Sequence, residues 1–86
     1  MGILRNLLGL PVSNKDFDHY MNLADQGDNK GLFMVGMMYH DSKPPSKIQH
    51  LPIKERTRIG AIYLKRAADQ GDMMALDMLK QFGHVR

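Results

Sequence analysis

Apolar residues recur along this chain at the three- and four-residue spacing of amphipathic helices. Two such stripes stand in the first half: Phe17, Tyr20, Met21 and Ala24, and then Leu32, Val35, Met38 and Tyr39. Ser13 precedes the first stripe as an N-cap residue. Gly27 stands where a helix ends on a left-handed residue, and Asp28 can cap the next helix. The pattern predicts helices over about 14–26 and 29–41.

The stop-and-start signal between these two helices occurs a second time. The pentapeptide ADQGD occupies 24–28 and again 68–72, an offset of 44 residues. Small and apolar positions on both sides of the pentapeptide agree as well. An offset of this size is typical of two-helix repeat units, and the Gly-Asp connection is short enough to require an antiparallel hairpin. The second copy therefore predicts helices over about 52–70 and 73–82.

These patterns predict an all-α fold built from antiparallel helix-pair repeats. We expect a short α-solenoid of about one and a half repeats, with four main helices in a single domain, 1–86. The 86 residues, 43% of them hydrophobic, are enough for one small core. A short turn or helix is expected at about 2–9, and the apolar segment 1–12 is expected to cap the hydrophobic end of the solenoid.

The apolar start of the chain is too short to span a bilayer, and Arg5 interrupts it. It also lacks the longer hydrophobic region and the cleavage site of a signal peptide. The chain contains no cysteine, which excludes disulfides and thiolate zinc sites. We therefore expect a cytoplasmic, soluble protein that does not associate with membranes.

Positive charge is concentrated in the middle of the chain. Segment 42–66 contains seven Lys and Arg residues and a single acid, whereas the remainder contains five basic and eight acidic residues. Its first part, 42–52, is a Pro-rich basic loop. The candidate partner-binding residues of this segment are Lys43, Lys47, His50, Arg56 and Arg58.

The loop and the first turns of the following helix allow these basic side chains to face one side together, near a helix N-terminus that favours anions. The expected occupant is an acidic surface of a protein. Nucleic acid is the weaker alternative, because aromatic residues are not interleaved with the charges. A merely solvated loop is the plainest interpretation of the segment.

The last predicted helix carries apolar residues almost to its end, where a solenoid normally has a polar cap. Leu79 and Phe82 are therefore expected to be exposed and to bind a partner or a second copy of the chain.

Small residues indicate where helices approach closely. Ala68 is expected at such a contact, where a leucine would be too large.

The residues that could carry catalytic or metal chemistry have simpler explanations. The four histidines, His19, His40, His50 and His84, match no metal-binding motif. The acids of the two pentapeptides are explained by capping and turn formation. No nucleophile–base arrangement or phosphate-binding glycine loop is recognisable. The sequence predicts that the protein is not an enzyme and has neither a metal nor a cofactor.

Several spacings together resemble the Sel-one-like repeat family, a relative of the tetratricopeptide repeat. Tyr63, the run KRAADQGD at 65–72 and Ala75 resemble the end of such a repeat. Its usual first-helix pattern, a small residue followed by Leu-Gly and then Tyr, is matched by Gly31, Val35-Gly36 and Tyr39. The resemblance covers roughly 17–79 and implies a scaffold for protein complexes. The basic Pro-rich loop and Lys80, which replaces a glycine, depart from the family pattern.

The function predicted from the sequence is that of a protein–protein interaction module. It would act as an adaptor, or as a small modulator or inhibitor of a partner protein, through the concave helix surface and the basic loop. The alternative is a nucleic-acid-binding accessory protein that uses the basic segment 43–66.

Overall fold

The computed structural model describes residues 13–84, which form antiparallel helices and contain no strand. Within this part of the chain lie four main helices and one short helical turn. They are α1 (Asn14–Asp25), α2 (Asn29–His40), the short α3 (Ser46–Gln49), α4 (Ile53–Asp69) and α5 (Met73–Gln81). The predicted fold class is confirmed. The predicted turn at 2–9 and the capping segment 1–12 lie outside the described residues.

The two Gly-Asp corners end their helices in the same way. Gly27 and Gly71 have φ angles of 79° and 99°, in the left-handed region that glycine adopts without strain. At the first corner, Asp28 N donates to the Leu23 carbonyl at 3.1 Å, and at the second, Asp72 N donates to the Ala67 carbonyl at 3.2 Å. These bonds satisfy carbonyl groups that the helix end would leave without a partner.

The aspartate of each corner then starts the following helix. The Asp28 carboxylate accepts from Gly31 N at 2.9 Å, and the Asp72 carboxylate accepts from Ala75 N at 3.1 Å. Ser13 does the same for α1, accepting from Asp16 N at 3.0 Å. Every N-cap predicted from the sequence is therefore present, because capping depends only on residues within one turn of the helix start.

The core lies along α2, which packs against α1 on one side and α4 on the other. Leu32, Val35 and Leu64 are completely buried. Two glycines allow the close crossing of α2 and α4: a Cβ at Gly36 would lie 2.6 Å from Leu64 Cγ, and one at Gly60 would lie 2.8 Å from Tyr39 Cβ. The small residues of these helices therefore set the distance between neighbouring layers.

Hydrogen bonds between the two corners join the repeat units. Gln70 Nε2 donates to the Gly27 carbonyl at 3.0 Å, and Asn29 Nδ2 donates to the Asp72 carboxylate at 2.7 Å. Both bonds connect residues more than forty positions apart along the chain. They place the second corner directly beside the first, as expected for stacked repeats.

The close contact predicted at Ala68 lies one residue earlier in the chain. Ala67 is completely buried, whereas Ala68 is only partly buried and lines an open groove between α4 and α5. The prediction failed because a helix turns by about 100° per residue, so neighbouring alanines face different surroundings.

This difference gives a stability prediction for a matched pair of variants. Ala67→Leu should lower the free energy of unfolding by about 1–3 kcal/mol, because the extra atoms have no space in the core. Ala68→Leu should change it by less than about 0.5 kcal/mol, since the new side chain enters the groove. Urea denaturation of both variants checks the pair. An equal loss in both would mean that the groove is closed in solution.

Candidate protein-docking site

The basic loop is held against α1. Lys47 Nζ lies 2.7 and 2.8 Å from the two carboxylate oxygens of Asp18, and Lys47 N donates to Asn14 Oδ1 at 3.2 Å. The single turn α3, which the sequence did not predict, anchors the loop through the buried side chain of Ile48. The charge of Lys47 is therefore already paired with an acid of this chain.

Arg56, predicted as a partner-binding residue, is instead a buried structural residue. Its side chain is only 7% exposed, and Nη1 donates to the carbonyls of Tyr39 and Asp41 at the end of α2. A cation suits this position, because helix C-terminal carbonyls carry partial negative charge. The guanidinium therefore caps carbonyl groups at the C-terminal end of α2 and does not face solvent.

The remaining basic candidates are all exposed, and they have different neighbours. Lys43 and His50 lie on the loop. Arg58 pairs with Glu55 one turn earlier on α4, and it lines the groove between α4 and α5. Lys47 pairs with Asp18 of α1. Of the predicted basic residues, only Arg56 is therefore enclosed in the fold.

The groove between α4 and α5 is open, with a volume of about 600 Å³. Its floor is apolar, with the partly buried Ala61 and Ala68 from α4 and, from α5, the partly buried Leu76 and the buried Leu79. Its rim on α4 consists of the exposed side chains of Arg58, Ile62, Lys65 and Asp69. Ile62 is 48% exposed, a large value for an isoleucine beside an apolar groove. Hereafter this feature is called the end groove.

Leu79 and Phe82, both predicted to be exposed, differ in their surroundings. Leu79 is only 3% exposed and belongs to the core, so the prediction of an exposed Leu79 is wrong. The α4–α5 hairpin turns this residue toward the floor of the end groove. Phe82 is 36% exposed, and one face of its ring stacks on His40, with ring centroids 4.2 Å apart.

His40 links the end of α2 to the end of α5. Its Nδ1–H donates to the Gly36 carbonyl at 2.8 Å. Because a carbonyl can only accept, Nε2 of the neutral ring is left to accept from His84 Nε2–H at 3.0 Å. Burial lowers the pKa of His40, the Gly36 hydrogen bond opposes that shift, and the charges of His84 and Arg56 reinforce it.

The stability of the protein is therefore expected to fall as the pH is lowered from 7 toward 5. Below its ordinary pKa of 6.5, His40 in the unfolded chain takes up a proton that the folded protein resists, and lower pH favours unfolding. Urea midpoints across this pH range should fall less in His40→Gln than in the wild type. His19→Gln, a matched change at an exposed histidine, should keep the wild-type slope. If the urea midpoint of His40→Gln fell with pH as steeply as that of the wild type, His40 would not be the cause of the pH dependence.

The internal repeat indicates one reason for the end groove. In the first helix pair, the rings of Phe17 and Tyr39 are buried in an edge-to-face contact, their centroids 5.8 Å apart. Forty-four residues after Phe17 stands Ala61, which lines the end groove. An aromatic side chain is thus replaced by a methyl group. The register of the repeat contained this signal, but the predicted site residues did not include Ala61.

Comparison with known proteins identified no family model, no characterised relative and no solved structure that matches this chain. The likeness to the Sel-one-like repeat therefore stays a prediction. Among residues 13–84, no three His, Asp or Glu side chains are grouped as metal ligands. In the same range, no helix is both long enough and apolar enough to cross a membrane.

Proposed function

We propose that this protein is a non-catalytic interaction module, an adaptor or modulator that binds a partner protein in the end groove. The observation that carries the proposal is a half-buried apolar floor with Ile62 exposed at its rim. Exposed apolar patches rimmed by polar residues commonly mark interaction sites, including those for other proteins. The proposed cytoplasmic location and the membership of the Sel-one-like family are parts of the same proposal.

The end groove replaces the basic loop as the main proposed site. Arg56 is buried, so the basic segment offers one cation fewer than its sequence suggested, whereas the exposed pair of Lys47 with Asp18 is a weak one. The burial of Arg56 also removes a cation from the nucleic-acid alternative, which would use the basic segment 43–66.

Affinity capture from the native host, with three versions of the full chain, tests the proposal. Ala61→Phe restores the residue of the first helix pair and should fill the groove. Ile53→Asp changes a 70% exposed isoleucine on the same helix, outside the groove, and serves as the control. We expect a protein partner that the wild type and Ile53→Asp retain and Ala61→Phe loses. Retention by all three would remove the end groove as the site.

A further inference from the structure

We infer that the end groove takes an amphipathic α-helix of a partner protein, with one large aromatic side chain on its apolar face and carboxylates beside it. This inference rests on the proposed function, because it assumes that the end groove is the binding site. The chain itself contains a template for it, since the helix α4 packs on α2 of the first helix pair.

The first helix pair shows what a neighbouring helix does in this fold. Ala24 and Leu32 correspond to Ala68 and Leu76 of the end groove, at the same offset of 44 residues. Ala24 and Leu32 are completely buried, whereas Ala68 and Leu76 are partly exposed. The helix α4 packs on α2 of the first pair, and among the described residues no helix follows α5 to pack on it in the same way.

The aromatic anchor follows from the residues that the second pair lacks. Phe17 and Tyr39 fill the first face from within, and the latter also stacks on Tyr63, with ring centroids 5.9 Å apart. Ala61, which corresponds to Phe17, lacks such a ring and lines the end groove. A buried aromatic ring is the side chain that gains most from such a pocket, and such residues commonly dominate the affinity of interfaces.

The occupant must also lie farther from α5 than α4 lies from α2. Leu64 of α4 touches α2 where Gly36 has no side chain, and a Cβ there would lie only 2.6 Å from Leu64 Cγ. Lys80 stands at the corresponding position of α5. A side chain at this position prevents an equally close approach of a leucine.

The acidic character of the occupant follows from three changes of charge between the two faces. Asn14, Met21 and Gly36 of the first face are neutral, and their counterparts are Arg58, Lys65 and Lys80. Asp25 corresponds to Asp69, so this position is acidic on both faces. The present partners of the two cations on α4, Glu55 and Asp69, are exposed, and such pairs are weak. Carboxylates of the occupant would therefore find two cations, Arg58 and Lys65, at the rim of the groove, beside the acid Asp69.

Neither α1 nor α4 of a second copy supplies this chemistry, and Phe82, at the end of α5, is stacked on His40 of its own chain. Phe17 and Tyr20 of α1 are buried in their own core, and the outward residues of α1 include Asp18, His19 and Asn22. The helix α4 is basic, so the cationic rim would repel it. Segment 1–12 contains neither an aromatic nor an acidic residue. The occupant is therefore assigned to another protein.

Selection from a displayed library of amphipathic 17-residue helices, randomised on one face and its flanks, tests the inference on the full chain. We expect an aromatic residue at one central position and Asp or Glu on the flanks. In anisotropy titrations, replacing that aromatic residue with Ala should weaken binding by about 30-fold. Replacing the flanking acids with Lys should weaken it by about 10-fold, and added salt should lower the affinity of the acidic peptide.

Variants of the protein link the selected peptides to the groove. Ala61→Phe and Ile62→Asp, which both restore residues of the first pair, should abolish binding. The matched control Ile53→Asp should bind like the wild type. Circular dichroism confirms that each variant is folded, and the exposed position of Ile62 makes its variant the safer of the two.

The outcomes separate the inference from the proposed function. A failure to enrich any helix, enrichment of basic or non-aromatic ones, or binding that survives both groove variants would overturn the inference. If the host partner is still lost on Ala61→Phe in those cases, the end groove remains the proposed site with a different occupant. Sedimentation that shows a dimer abolished by Ala61→Phe would instead identify a second copy as the occupant, and would also overturn the inference.

Discussion

Alanine in place of Gly31 is expected to destabilise the protein by about 3 kcal/mol, although alanine is the better helix former by about 1 kcal/mol. A Cβ at this position would lie 2.5 Å from Ala24 N, 2.6 Å from Leu23 Cβ and 2.8 Å from Leu23 C. Two of these atoms belong to the backbone of α1, so no side-chain rotation relieves the clash. The α1–α2 hairpin must open, and urea denaturation measures the cost.

The neighbouring residue provides the control for this prediction. Lys30 is exposed in the same first turn of α2, and Lys30→Ala should leave the free energy of unfolding within about 0.5 kcal/mol of the wild type. At the corresponding position of the second hairpin stands Ala75, completely buried, so that hairpin already accommodates a methyl group. Wild-type stability in Gly31→Ala would mean that α1 packs less closely on α2 than the structure shows.

The parts of the fold that could be predicted from the sequence depend on local chemistry. A carboxylate that caps its own helix and a glycine that ends one act within a single turn. For this reason Asp28, Asp72, Gly27 and Gly71 were assigned correctly, and the main helices followed from them. Duplication of the signal at a fixed offset then indicated stacked pairs, since two copies of one local structure bury the same kind of face.

The details that could not be predicted depend on residues far apart in the chain. The turn α3 is stabilised by Asn14 and Asp18, about thirty residues earlier. Arg56 has the sequence context of an exposed basic residue. Only the position of the α2 C-terminus shows that its guanidinium is buried and bonded to a carbonyl there. Charge along the chain therefore indicated how many cations there are and gave no information on which are available.

The candidate site was predicted only in part, because burial in a repeat depends on the neighbouring layer. The C-terminal helix was expected to carry the binding surface, and the end groove does include Leu79 on its floor. Ala61 also lines this groove, and it stands where the first helix pair has the buried Phe17. The aligned sequence shows that the side chain is smaller at this position, and only the structure shows that the position borders a groove.

Glutamate in place of Arg56 is expected to produce the largest loss of stability, about 4 kcal/mol. The guanidinium donates to the carbonyls of Tyr39 and Asp41, which close the end of α2. The variant removes both bonds and places a buried carboxylate beside two carbonyl oxygens and the negative end of a helix dipole. Arg56→Met keeps the apolar stem and loses only the donors, so it should cost less, about 2 kcal/mol.

Arg58→Glu is the matched control, since it makes the same change two residues later on the same helix. Arg58 is exposed, and its partner Glu55 lies on the surface, so this variant should unfold at the wild-type urea concentration. The two variants also separate structural from binding roles: Arg58→Glu should weaken the binding of an acidic helix to a fully folded protein, whereas Arg56→Glu should first lose the fold. If Arg56→Glu were as stable as the wild type but no longer bound the partner protein, Arg56 would again be a docking residue. Its proposed role in stabilising the C-terminal end of α2 would then be wrong.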